Sequence, residues 1–152
     1  MKINFYFFSL IILIIFLDQL SKFLVLNIML KSLTEINILP FLNITLVFNS
    51  GVAFGFLQKF GQNLPYILSI LGFMIGLGIV IWTIYNKKHY TAMALIAGGA
   101  FGNVIDRLRL GVVIDYIDIF WNNLHWPAFN IADMSICVGA FIYLYFEYKN
   151  KV

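Results

Sequence analysis

Asp115 and Asp133 are the residues of this chain best suited to do chemistry together. The stretch that holds them reads Val113-Ile114-Asp115-Tyr116-Ile117-Asp118, passes through a segment rich in Trp and Asn, and closes on Phe129-Asn130-Ile131-Ala132-Asp133. Each carboxylate stands beside an apolar run able to lie in a membrane, where an ionisable side chain is costly and is read first as functional. Two such groups in one site suit hydrolysis of a peptide by water. An ionised carboxylate takes a proton from the water, and a protonated one donates to the carbonyl oxygen or the leaving nitrogen. Neighbouring carboxylates titrate apart because a second charge is disfavoured beside the first. The chemistry needs no cofactor and no metal. Spacing alone leaves open whether the two side chains meet. Asp118, three residues after Asp115, competes for the role or is a solvated surface carboxylate.

Other polar side chains sit in otherwise apolar surroundings. Asp18 and Lys22 are four residues apart, so one helix face carries both, acid first. They form either a structural ion pair or a handle on a substrate. Asn103, Asp106 and Arg107 also line one face, and the planar Arg107 fork can bind a carboxylate, a phosphate or a carbonyl. Asn130 stands one helical turn before Asp133, where it can cap a helix and still reach a ligand. Asn49 precedes Ser50-Gly51, and a turn at Gly51 would aim the Asn49 amide inward. Metal ligation would draw on His89, His125 and Cys137, which fall in three regions without paired ligand spacing. A Ser or Cys nucleophile lacks a nearby His base.

The elements that must position these groups are membrane helices. Of 152 residues, 62% are hydrophobic and 11% charged, with a mean hydropathy of +0.91. Soluble domains carry roughly a quarter charged residues, so lipid must cover part of this surface. The length fits one domain, and the net charge of +3 reads as membrane orientation, not nucleic-acid binding. Four spans are expected, at about 5–30, 64–85, 91–110 and 130–148. The first is too long and too charged for a cleavable leader and has no small-x-small site after it. Asn63 caps the second helix and Pro65 opens it, while Gly72 and Gly76 allow another helix close. Segment 31–63, with Pro40, three glycines and the β-branched Thr45–Phe48 run, reads as a small sheet or cap at one membrane face. Segment 111–127, with Trp121 and Trp126, reads as an extramembrane loop at headgroup level. Lys2, Lys87, Lys88, Lys149 and Lys151 all fall beside the spans on one side, which places both termini in the cytoplasm and the carboxylates at the opposite face.

Five blocks carry a resemblance to a known family: Asp18-Gln19-Leu20-Ser21-Lys22; Asn49-Ser50-Gly51-Val52-Ala53-Phe54-Gly55; Gly98 through Arg107; Val113-Ile114-Asp115-Tyr116; and Phe129-Asn130-Ile131-Ala132-Asp133. In this order they resemble the bacterial lipoprotein signal peptidases, the type II signal peptidases. Tyr116 stands where that family more often has Phe, and Met134 where a small residue is common. The resemblance implies a four-transmembrane-helix bundle with a small extracytoplasmic β-cradle and a short interfacial helix, in the bacterial cytoplasmic (inner) membrane. It implies an intramembrane aspartic endopeptidase, acting without cofactor on diacylglyceryl-modified prolipoproteins, cutting before the lipidated cysteine and blocked by globomycin. Asp115 and Asp133 would be catalytic, and Asp18, Lys22, Asn49, Asn103, Arg107 and Asn130 would hold the substrate and orient the pair. Membrane lipid is the other expected partner, and a monomer is expected. The alternative is a small proton- or ion-coupled transporter using Asp18, Lys22, Asp106 and Arg107 as relay groups, although no internal repeat is visible.

Overall fold

A computed structural model describes residues 2–32, 35–51 and 63–150. Four helices and four strands follow in order: α1 (Lys2–Ser32), β1 (Ile36–Leu39), β2 (Leu42–Asn49), α2 (Leu64–Asn86), α3 (Tyr90–Leu110), β3 (Val113–Trp121), β4 (Leu124–His125) and α4 (Ile131–Lys149). Three of the helices are long and apolar enough to cross a membrane, at Phe5–Lys31, Leu64–Asn86 and Ile131–Lys149. Their outward faces carry large exposed hydrophobics such as Phe16, Phe23, Ile70, Phe141 and Leu144. Water would penalise such faces and lipid would not.

The fourth helix, α3, differs in composition and in place. It carries Asp106, Arg107 and Arg109 near its end, and it packs against α1, α2 and α4. Small residues make this possible. A side chain at Gly99 would run into the Ala132 carbonyl oxygen and meet Ile136 at 2.8 Å. One at Gly102 would meet the Asp18 carboxylate at 2.7 Å. The expected approach at Gly72 and Gly76 is present, with Val104 and the Phe101 ring of α3 against them. Overpacking typically costs about 1–3 kcal/mol, so Gly99→Val should destabilise by that order in detergent unfolding. Gly78→Ala, with nothing within 4 Å, should be neutral. Equal stability of the two variants would contradict the close α3–α4 contact.

The helix ends differ in how they are made. Asn63 stands at the N-cap of α2 but its side chain makes no cap bond, a correction to the expected cap; Pro65 in the first turn does the starting. The basic turn between α2 and α3 is tight, with Lys87 and His89 both left-handed. Asn130 caps α4 through a full capping box with Asp133.

Segment 111–127 is not a loop. β3 occupies it and pairs antiparallel with β2, so one sheet of order β1-β2-β3-β4 draws on both extramembrane segments. The run from Val113 to Tyr116 is fully buried, covered on both faces, and so lacks the polar alternation that marks a half-buried strand. Asp118 is not a solvated carboxylate either: it is buried within this sheet. No short interfacial helix occurs among the described residues, and residues 52–62 of the earlier segment lie outside them.

Candidate active site

The site forms where β3 meets the start of α4. Val47 of β2 stands opposite Asp115 of β3, and Ile117 bridges to Phe129 just before α4. Tyr116 and Ile117 both donate backbone N–H bonds to the Phe129 carbonyl, at 3.0 and 2.8 Å. These bonds bring the two aspartate-bearing segments side by side.

Asn130 joins the carboxylates. Its Nδ2 donates to Asp115 Oδ1 at 2.6 Å, and its Oδ1 accepts from the Asp133 backbone N–H at 2.9 Å. Asp133 Oδ2 in turn accepts from the Asn130 backbone N–H at 3.3 Å. One buried amide therefore caps a helix and orients both acids. Asn49 approaches from β2: its Nδ2 donates to Asp115 Oδ2 at 2.8 Å, and its Oδ1 accepts from Gly51 N at 2.8 Å. Gly51 has φ +79, which only glycine adopts freely, so the turn expected there is present. Asn103 Nδ2 donates to Asp133 Oδ1 at 2.7 Å.

Behind Asn103 lies a buried ionic cluster. Lys22 Nζ donates to Asp18 Oδ2 at 2.8 Å, Asp106 Oδ2 at 2.7 Å and Asn103 Oδ1 at 3.1 Å. Asp18 Oδ1 accepts from the Ala132 backbone N–H at 2.9 Å, tying α1 to the first turn of α4. Asp18, Lys22 and Asp106 are all at most 2% exposed. The sequence grouped Asp106 with Arg107; the fold instead turns Asp106 to Lys22. Gln19 was not singled out by sequence reasoning, yet its Nε2 donates to both Asp18 and Asp106. Its place directly after Asp18 in an otherwise apolar helix was the available signal.

Arg107 remains largely unclaimed. Its Nη1 makes one long bond to the Asn103 carbonyl at 3.4 Å, and among the described residues its buried Nε has no partner. Asp115, Asp133 and Asp106 lie within electrostatic reach of it.

Burial pushes the Asp115 carboxyl up to about 6. The Asn49 hydrogen bond opposes that rise, the nearby Asp133 charge adds to it, and the Asn130 bond opposes it. The Tyr116 hydroxyl is also pushed up by burial, against its bond to Ser21 Oγ at 2.8 Å. A half-exposed Asp133 and a buried Asp115, held by the same amide, are thus in unlike environments.

Residues 10–149 match the signal peptidase (SPase) II family. The chain belongs to that family. It is 41% identical over 144 residues to a lipoprotein signal peptidase of Polynucleobacter necessarius subsp. necessarius (strain STIR1), covering 92% of this chain and 87% of that one. It is 41% identical over 138 residues to a lipoprotein signal peptidase of Alteromonas mediterranea, covering 88% and 75%. Among solved structures, a bacterial membrane enzyme determined by the in meso method at 2.3 Å is similar with a TM-score of 0.76 and 29% identity, covering 96% of this chain and 89% of that one. This signal peptidase II family member is therefore a protease with membrane-spanning helices.

An apolar groove of about 460 Å³ opens beside Asp133, lined by Trp126, Pro127, Ala128, Phe129, Met134 and Cys137.

Proposed function

We propose that this protein removes signal peptides from diacylglyceryl-modified prolipoproteins, cutting before the lipidated cysteine, with Asp115 and Asp133 as the catalytic pair. The observation that carries this reading is the Asn130 bridge, which holds both carboxylates in one site at the start of α4. One carboxylate takes a proton from water and the other donates to the scissile amide. Arg107, with donors to spare beside the pair, is suited to a substrate carbonyl. Asn49, Asn103 and Asn130 orient the acids and contact the substrate. Asp18 and Lys22 support Asn103 from behind instead of facing open space.

The protein acts as a single-domain monomer in the bacterial cytoplasmic membrane. α3 is the fourth span, its charges sheltered by the other three helices, and both termini are cytoplasmic with the site at the outer face. Lys87 and Lys88 at the α2–α3 turn support that orientation. The deciding experiment incubates purified protein with a diacylglyceryl-modified prolipoprotein, with and without globomycin. Cleavage that globomycin blocks is expected; an intact substrate would overturn the reading. The transporter reading is not favoured, and only flux in proteoliposomes that depends on Asp18 without cleavage would revive it.

The titration of Asp115 gives a further expectation. The Asn49 bond favours the charged carboxylate, so its loss disfavours that form and raises the pKa. Asn49→Ala should move the break in the pH–rate profile upward from about 6. A break that stays in place or moves down would show that Asp115 does not set it.

A further inference from the structure

Asp118 is a buried carboxylate that the mechanism does not use. It lies three residues after Asp115 on β3, so alternation puts it on the opposite face of the sheet. There it belongs to a polar row that crosses all four strands. Asn37 Nδ2 of β1 donates to Asn43 Oδ1 at 2.7 Å; Asn43 Nδ2 of β2 donates to Asp118 Oδ2 at 3.2 Å; and His125 Nδ1 of β4 meets both Asp118 oxygens at 2.9 Å. A carboxylate accepts only, so Nδ1 carries the hydrogen in this contact. His125 also stacks on Phe120, with ring centres 5.1 Å apart and planes within 16°.

The position of this row along the sheet gives it a purpose. Asn43 pairs with Asp118 and Val47 with Asp115, so β2 spends four residues where β3 spends three. That is a bulge, and it interrupts the regular ladder immediately beside the proposed catalytic acid. A slip of one residue there would turn Asp115 to the wrong face. The Asn43–Asp118 pair fixes the register on one side of the bulge, and the Asn49–Asp115 pair lies on the other.

We propose that Asp118, clamped between Asn43 and His125, is a positioning residue for peptide cleavage, locking β3 in the register that aims Asp115 at Asn130. The proposal rests on the functional reading above. His125 is half-exposed at the end of the row, so its replacement removes the clamp without opening a core.

The experiment measures cleavage of the lipid-modified prolipoprotein by wild type, Asp118→Ala, His125→Ala and His125→Asn, each normalised to folded protein. Misplacing a catalytic group by about 1 Å can cost on the order of 100-fold. A fall in kcat of about 10- to 100-fold is therefore expected for Asp118→Ala and His125→Ala, with KM within about twofold. The amide of His125→Asn can replace the Nδ1 donor and should restore kcat to within about threefold of wild type. Unchanged kcat in both alanine variants overturns the proposal. So does a rise in KM without a fall in kcat, or a failure of His125→Asn to restore kcat. Absence of cleavage by wild type would instead overturn the functional reading on which the proposal stands.

Discussion

Asp115→Asn and Asp133→Asn are each expected to reduce prolipoprotein cleavage by at least about 10⁴-fold, with the double variant no worse than either single one. Residues that act as a unit show this non-additivity. The replacements are close in shape, so the fold should persist. At position 133 the amide oxygen can still accept from the Asn130 N–H, preserving much of the capping box. At position 115 an amide oxygen can still accept from Asn130, while the contact with Asn49 becomes donor against donor. Correct membrane insertion, an unchanged melting temperature to within a few degrees and no cleavage are the expected set. Normal processing by either variant would remove that aspartate from the catalytic pair.

Lys22→Met is expected to produce the largest loss of stability. The ammonium sits between Asp18 and Asp106 at 2.8 and 2.7 Å, and all three side chains are buried. Removing one member of a buried ion pair typically costs about 3–5 kcal/mol because an uncompensated charge remains. Here two carboxylates would face each other. Restoring neutrality with Asp18→Asn and Asp106→Asn in the same protein should recover most of the loss. Unfolding in mixed micelles checks both steps, and wild-type stability of Lys22→Met alone would show that the cluster holds nothing. Activity should fall as well, since Lys22 supports Asn103, which donates to Asp133.

Much of the site was legible because membrane helices make polar residues conspicuous. Asp18, Lys22, Asn103 and Asp133 each interrupt an apolar run, and helical spacing predicts the contact between Asp18 and Lys22. Asn49 was legible through Gly51, whose turn aims the amide. What spacing does not give is the long-range pairing. Nothing in the order of residues says that Lys22 is shared between Asp18 and Asp106, because that depends on how α1 leans on α3 at Gly102. β3 escaped for a related reason. Its aspartates read as functional groups and Trp121 as an interfacial anchor, so the pattern of this nine-residue strand reads as a loop. Asp118 looked solvated for want of its partners, which come from β2 and β4.

The capping box at Asn130 has a consequence for how the enzyme can be watched at work. The Asn130 amide donates to the Asp133 carboxylate, so its bond weakens whenever that oxygen engages a proton, a water or a scissile group. A backbone N–H whose resonance responds to the state of the proposed catalytic acid, Asp133, would be a built-in sensor. Isotope labelling at this one position would follow turnover from inside the bilayer without any added probe.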